Sequence, residues 1–387
     1  MVIQLRARGF SQGLQGRTIG RVSFSPVAEE EKKDTFRAIR KGESYENLDG
    51  YLAALFEGEG AEVSCPTVTG YESLDFLKDG YVVAIESTTG FTRVLYRHDS
   101  RFNTVFATDD CNSNCLMCSQ PPKKVDESEI VECHLRHIDL IPNIPERFGI
   151  TGGEPTLLGD GLVRVLTRLK ERFPDTPLLM LSNGRMYSYE DLVQKIANVG
   201  NPNFTTAIPL YASTAPEHDF VVQSKGAFDQ TIQGLYNAAR YGLKIEIRVV
   251  LHKQTIPGLL DLMEFIYRNL PFVDHVALMG LENMGYVKKN WEMLWIDPLD
   301  YAETLEKAVK FMWYRQIHVS VYNLPLCLVP REIWSFARQS ISDYKNIYLD
   351  ECNQCTVQPH CSGLFQSGET RHSRGIKAIT DVIKVCQ

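Results

Sequence analysis

From residue 102 to about residue 314 the chain alternates between two hydrophobic rhythms. Short apolar runs at 102–108, 148–151, 177–181, 204–211, 244–251 and 275–280 predict strands. The stretches between them, 127–141, 161–173, 189–199, 228–241, 257–269 and 298–314, carry apolar residues at helical spacing. In 127–141, Ile130, Leu135, Ile138 and Ile141 fall near one face, and Pro142 ends the stretch. Six strand–helix units in succession predict an α/β fold with a parallel sheet and right-handed crossovers. Ligands of such sheets gather at the carboxyl ends of the strands. A further strand is expected at 317–322.

Residues 1–97 read differently. Short apolar patches at 80–85 and 92–96 lie between Gly, Ser and Glu, which predicts a small β-containing module of no legible role. The stretch 29–41, rich in Lys, Glu and Arg, predicts an exposed helix. The division expected is therefore 1–97, 98–315 and a cysteine-rich end at 316–387.

Composition narrows the class. Hydrophobic content of 44% and charge of 23% are those of an ordinary globular protein. A net charge of -7 and an isoelectric point near 5.8 argue against a nucleic-acid partner bound by phosphate neutralisation. The first residues lack the apolar run of a signal peptide, and no apolar stretch approaches membrane-spanning length. Ten cysteines are many for a reducing compartment unless they are used. Seven of them fall into two groups with metal-ligand spacing, so a cytoplasmic, oxygen-sensitive protein is expected.

The first group is Cys111, Cys115 and Cys118, spaced C-x3-C-x2-C after the first predicted barrel strand. Each thiolate can hold one corner iron of a cubane, and a fully protein-ligated [4Fe–4S] cluster takes four. The neighbouring cysteines, Cys65 and Cys133, are distant and read as core thiols. The simplest inference is a cluster with one open iron. A zinc site commonly shows paired C-x2-C knuckles and a fourth ligand, and a disulfide suits a secreted chain. The second predicted strand runs into Gly152-Gly153-Glu154-Pro155, where a Gly-Gly turn lets backbone approach a ligand closely. Glu154 then offers a carboxylate to an ammonium group.

Together these motifs resemble the radical S-adenosylmethionine (SAM) superfamily, over roughly residues 102–322. The resemblance implies a partial (β/α)6 barrel, with SAM chelating the open iron through its amine and carboxylate. It implies reductive cleavage of SAM to a 5′-deoxyadenosyl radical that abstracts hydrogen from an unactivated C–H bond. An electron donor such as flavodoxin or ferredoxin follows from the reduction. Gly152, Gly153 and Glu154 would lie against the SAM amine. Met117 stands where the family places a residue whose backbone borders the adenine, and a core position is the alternative. Ser182 and Asn183, in Leu181-Ser182-Asn183-Gly184, match the family's T-N-G turn. Many relatives carry a Ser-Leu-Asp-Gly-like turn after the fourth strand. This chain has Ile208-Pro209-Leu210-Tyr211-Ala212-Ser213, so Ser213 or Arg248 must supply that contact. Arg248 lies inside an apolar strand, where a charge is costly unless paired. The SAM carboxylate is one partner; Glu246 or Glu282 is the alternative.

The second group is Cys352, Cys355 and Cys361, with Cys327 upstream. Four cysteines suit one auxiliary [4Fe–4S] cluster or a structural zinc. They resemble the auxiliary-cluster extensions, called SPASM or twitch domains, of peptide-modifying radical SAM maturases, which favours iron. His360 is an alternative ligand. Cys386 is left over, as a replacement ligand, a hydrogen-atom donor or an exposed terminal thiol.

Finer stretches narrow the family. Leu95-Tyr96-Arg97, Asn103-Thr104, the run from Cys111 to Pro122, His218-Asp219 with Gly226-Ala227-Phe228, and Gly363-Leu364-Phe365 are similar to the maturases of the His-Xaa-Ser system. That similarity implies a ribosomally made peptide substrate and a second radical SAM protein as partner. Cross-linking, oxidation and epimerisation all begin with hydrogen abstraction, so the modification stays open. A small-molecule or nucleoside substrate, and a metal-binding scaffold without catalysis, are the rival expectations.

Overall fold

The computed structural model describes residues 4–125, 127–339 and 346–381; Cys386 lies outside them. The N-terminal module is an eight-stranded mixed sheet. Its strands are β1 (Arg6–Arg8), β2 (Phe10–Gln12), β3 (Arg17–Ser23), β4 (Thr35–Ile39), β5 (Ala53–Glu57), β6 (Thr67–Tyr71), β7 (Val82–Glu86) and β8 (Phe91–Tyr96). They lie in the order β1-β8-β7-β3-β4-β5-β6-β2, with β3 to β6 mutually parallel. Phe36, Ala38, Leu55, Val68, Val83 and Ile85 form its core.

One expectation is corrected here. The exposed helix over 29–41 shrinks to α1 (Glu29–Lys32), and β4 follows as a central strand with all five residues buried. Phe36 and Ala38 face one core, whereas Ile39 packs with Tyr51, Ala54 and Phe56 in another. Arg37, which reads as a solvated charge, is only 2% exposed and bonds to Glu46 at 3.1 Å and Glu43 at 3.3 Å. Those two carboxylates make the burial tolerable.

The barrel follows. In chain order it contains β9 (Phe102–Phe106), α2 (Ile130–Leu140), β10 (Arg147–Thr151), α3 (Asp160–Arg172), β11 (Leu178–Leu181), α4 (Glu190–Asn198) and β12 (Phe204–Pro209). It continues through α5 (Ala215–Val222), α6 (Ala227–Arg240), β13 (Lys244–Leu251), α7 (Leu259–Asn269), β14 (His275–Gly280), α8 (Trp291–Leu294), α9 (Ala302–Tyr314), β15 (His318–Tyr322) and β16 (Ala337–Arg338). β9 to β16 form a parallel half-barrel sheet in sequence order. The six expected strands are present, β15 is the further strand expected at 317–322, and both it and β16 join the same sheet. Val276 and Val319 are partners across β14 and β15, so the apolar ladder continues past residue 315.

Alternation sets the two faces of this sheet. Ile150, Met180, Ile208, Ile247, Leu278 and Val321 are buried beneath the helices. Thr151, Leu181, Pro209, Arg248, Met279 and Tyr322 are half-buried on the inner face. Beyond β16 the described residues hold little regular structure: β17 (Asn346–Ile347) pairs with β18 (Leu364–Phe365). Among the described residues no helix is long and apolar enough to cross a membrane.

Candidate functional site

The cysteine loop leaves the carboxyl end of β9 and is held from four sides. Beneath it, Leu116 and Met117 sink into a cluster with Tyr211, Val221, Val222, Val287 and Leu294. The Met117 side chain therefore lies in the core. From α5, the carbonyls of Val222 and Val221 accept the N–H groups of Asn114 at 3.0 Å and Leu116 at 2.9 Å. These are helix C-terminal carbonyls that otherwise lack partners. Asp219 on the same helix accepts from Gly226 N and Phe228 N, so the His218-Asp219…Gly226-Ala227-Phe228 stretch ties α5 to α6. On the far side, Tyr286 N donates to Cys118 O at 2.9 Å and Asn290 Nδ2 to Leu116 O at 2.8 Å.

The Gly-Gly turn supplies the third contact. A side chain on Gly153 would place its Cβ 2.0 Å from Asp110 O, and one on Gly152 would lie 2.6 Å from Thr108 O. The turn lacks side chains because the cysteine loop itself runs against it. Gly153 N and Glu154 N donate to Thr108 O at 2.7 Å and Asp110 O at 2.8 Å.

Glu154 is fully buried, and its oxygens face the protein. Oε1 accepts from Thr156 N at 3.0 Å, from the Thr156 hydroxyl and from Ser182 Oγ at 2.8 Å; Oε2 accepts from Asn183 N at 2.6 Å. Burial pushes its carboxyl above the usual range, against the pull of these donors. The residue expected to meet a ligand's ammonium thus locks β10 to the turn after β11. Ser182 is spent on that lock and on Gly184 N at 3.0 Å. Asn183 reaches the cysteine loop, with Nδ2 2.6 Å from Asn112 Oδ1 and 3.9 Å from Cys111 Sγ.

Arg185 is the fourth contact and carries no sequence signal beyond its place after Ser-Asn-Gly. Its guanidinium donates to Asn112 O, to Ser113 Oγ at 3.0 Å, to Ser224 Oγ at 2.9 Å and to Gln230 Oε1 at 2.8 Å. Glutamine cannot reproduce this fork. Arg185→Gln should leave circular dichroism unchanged yet lower the iron retained by the loop several-fold, as measured by iron per chain after desalting. Retention at the wild-type level would remove Arg185 from the clamp.

Arg248 meets a protein partner. Nε donates to Glu246 Oε1 at 2.6 Å, Glu246 Oε2 lies 2.8 Å from His275 Nδ1, and His275 Nε2 lies 3.0 Å from Ser320 Oγ. Glu246 is thus the protein partner that the sequence offered as an alternative, and it engages Arg248 through Nε. Ser213 is half-buried in the turn between β12 and α5.

The donor chemistry of the loop fits an iron–sulfur cluster. Burial raises the Cys111 thiol to about 11, and burial with the charges of Cys118 and Cys111 raises Cys115 to about 12. Thiolates so placed need bound cations to persist. Among the described residues no three His, Cys, Asp or Glu side chains gather tightly enough for a single ion. Cubane thiolates sit on separate irons and need no such gathering.

Cys327, Cys352, Cys355 and Cys361 line one cavity, beside Tyr348 and Ile379. Leu326 N and Gly363 N point at Cys361 Sγ from 3.3 and 3.4 Å, and Ile379 N at Cys355 Sγ from 3.5 Å. Such N–H groups favour thiolate ligands. His360 is exposed and does not line this cavity. Cys65 and Cys133 are half-buried against apolar clusters.

Residues 105–266 match the radical SAM superfamily. The GTP 3′,8-cyclase of Nautilia profundicola is 29% identical over 169 residues, 42% of this chain and 51% of that one. The Fe-coproporphyrin III synthase of Methanosarcina barkeri is 28% identical over 163 residues, 41% of this chain and 39% of its own. The chain spans about half the length of the curated relatives it matches. Among solved structures, Streptococcus suis SuiB bound to S-adenosylmethionine gives a TM-score of 0.45 at 16% identity, over 59% of this chain and 50% of that one.

Proposed function

We propose that this chain, which carries a radical SAM domain over residues 105–266, is an enzyme that modifies a ribosomally made precursor peptide by hydrogen abstraction. The observation that carries the enzymatic part is the clamped loop of Cys111, Cys115 and Cys118, with no fourth cysteine in the loop. These three residues would hold a [4Fe–4S] cluster with one open iron. Cys327, Cys352, Cys355 and Cys361 would hold an auxiliary one. When bound, the cluster and SAM would supply reductive hydrogen abstraction from an unactivated C–H bond. The protein's part is placement. Gly153, Asn183 and Arg185 fix the loop, and the buried Tyr211–His218 stack, 5.8 Å between centroids, excludes water beneath it.

Charge favours a peptide. The cavity at the carboxyl ends of β13 to β15 is bordered by Glu282, Asn283, Trp295, Asn323, Arg371 and His372. Arg371 and His372 are its basic side chains, set against a carboxylate. A nucleoside triphosphate would need a cluster of Arg or Lys. The similarity to GTP 3′,8-cyclases favours the second reading, a small-molecule substrate.

The test is anaerobic incubation with a reductant such as flavodoxin, SAM, and either a candidate precursor peptide encoded beside the gene or GTP. The expected result is peptide-dependent 5′-deoxyadenosine and a peptide mass lower by two hydrogens per site, or deuterium at Cα in deuterated water for epimerisation. Both should vanish with C111A. Product with GTP alone would establish the small-molecule reading. Absence of 5′-deoxyadenosine with either, even after adding a second radical SAM partner, would leave a scaffold.

A further inference from the structure

One groove of the molecule runs up to the residues just before the cysteine loop and is unused by the mechanism above. It is a cavity of about 420 Å³ between the N-terminal sheet and the first barrel unit. One wall is β1 and β8, and the other is β9 with α2. Four observations bear on what it takes.

The first is an open strand edge. β9 ends the barrel sheet, and among the described residues it pairs only with β10. Ala107 N donates to Thr151 O at 2.7 Å on the paired side. The alternation of the backbone then turns the N–H and C=O groups of Thr104 and Phe106 to the open side, where both residues line the groove. A second observation is charge. Arg6 and Arg93 are direct partners across β1 and β8, which brings two guanidinium groups together at one wall of the groove. Both line the groove, and Arg93 lies over the Phe106 ring at 5.4 Å; Arg17 beside them is ion-paired with Glu86, and Asp109 and Glu127 line the far end. Third, His137 on α2 is 2% exposed, lines the same groove, and its Nε2 is buried without a hydrogen-bond partner. A buried polar atom of this kind calls for one. Burial pushes its pKa down to about 3, so the ring is neutral and can donate to a carbonyl. Finally, the groove ends at Asp109, two residues before the cysteine loop's first thiol.

We propose that this groove binds an extended, acidic peptide segment, which adds as a strand to the free edge of β9 and sets its carboxylates against Arg6 and Arg93. Strand addition draws affinity from main-chain hydrogen bonds and specificity from alternate side chains. A segment anchored there would leave toward the cysteine loop. The inference rests on the peptide reading of the substrate, and it names where the non-reacting part of that peptide is held.

The test is fluorescence anisotropy on the iron-loaded full chain, which needs no turnover. The probes are a fluorescein-labelled (Thr-Glu)5 decapeptide and its (Thr-Lys)5 counterpart. The acidic peptide should bind at least about tenfold more tightly than the basic one, with an affinity that falls as salt rises. Charge reversal in Arg6→Glu/Arg93→Glu should weaken it by a further tenfold or so. Thr104→Pro removes one edge-facing N–H at a position where an edge strand accepts proline, and should weaken it similarly. Iron content and 5′-deoxyadenosine formation without peptide should stay at wild-type levels in both variants. Equal binding of the two decapeptides, undisturbed binding in both variants, or full competition by free glutamate would overturn the proposal. Loss of peptide-dependent 5′-deoxyadenosine in the wild type would instead sink the peptide-substrate reading and leave the groove's own result standing.

Discussion

Gly153→Ala is expected to give a folded protein that makes at least about 100-fold less 5′-deoxyadenosine than the wild type, since a displacement near 1 Å can cost that much. The added Cβ would stand 2.0 Å from Asp110 O, 2.7 Å from Asp110 C and 3.1 Å from Asp109 O. These are backbone atoms, so no side-chain rotation relieves the clash. The loop cannot move as a whole, because Asn114 and Leu116 are tied to α5 and Cys118 O to Tyr286 N. The displacement therefore concentrates at Cys111. Gly258→Ala is the matched control, since nothing lies within 4 Å of its added Cβ and its backbone is unstrained. Product from anaerobic reactions, quantified by chromatography, decides the matter. Equal rates for both variants would mean that the contact between turn and loop is dispensable.

Cys355→Ser/Cys361→Ser should lower iron from about eight atoms per chain to about four. The double variant should also expose residues 346–381 to proteolysis. In that region the only regular pairing among the described residues is β17 with β18, two residues each, and the rest is short 3-10 turns joined by irregular chain. A segment with so little apolar core depends on bound metal for its fold. Leu326 N, Gly363 N and Ile379 N are aimed at the two sulfurs removed, and they would be left without acceptors. Elemental analysis of the wild type separates the alternatives. About four irons with one zinc would assign the four cysteines to a structural zinc instead.

The parts of the barrel legible in the sequence share one property. Strands of a parallel sheet are covered on both faces, so 244–251 and 275–280 stand out as apolar runs, and β13 and β14 occupy those limits. The helices between them follow for the same reason, within a few residues at their ends. β4 was not legible, because Glu, Lys and Arg flank and interrupt it and Arg37 is neutralised by carboxylates further along the chain. α5 was missed because Pro216 and two short polar turns hide an eight-residue helix whose C-terminal carbonyls hold the cysteine loop. Two-residue β16 has no periodicity to read.

At the site the division is sharper. Spacing on one loop made Cys111, Cys115 and Cys118 readable, since all three arrive together in the chain. Spacing said nothing of the bonds that hold the loop. Ser182 meets Glu154 across 28 residues, and Arg185 meets Ser113 across 72. By itself, then, the sequence determined the succession of strands and helices and the thiol triad, because periodicity and short spacing are local properties. The tertiary structure alone decided that Glu154 binds the turn after β11, that Arg248 binds Glu246 and that β9, among the described residues, keeps a free edge beside Arg6 and Arg93. A buried charge takes the partner that packing brings to it, and an edge stays open only where no other strand is placed beside it.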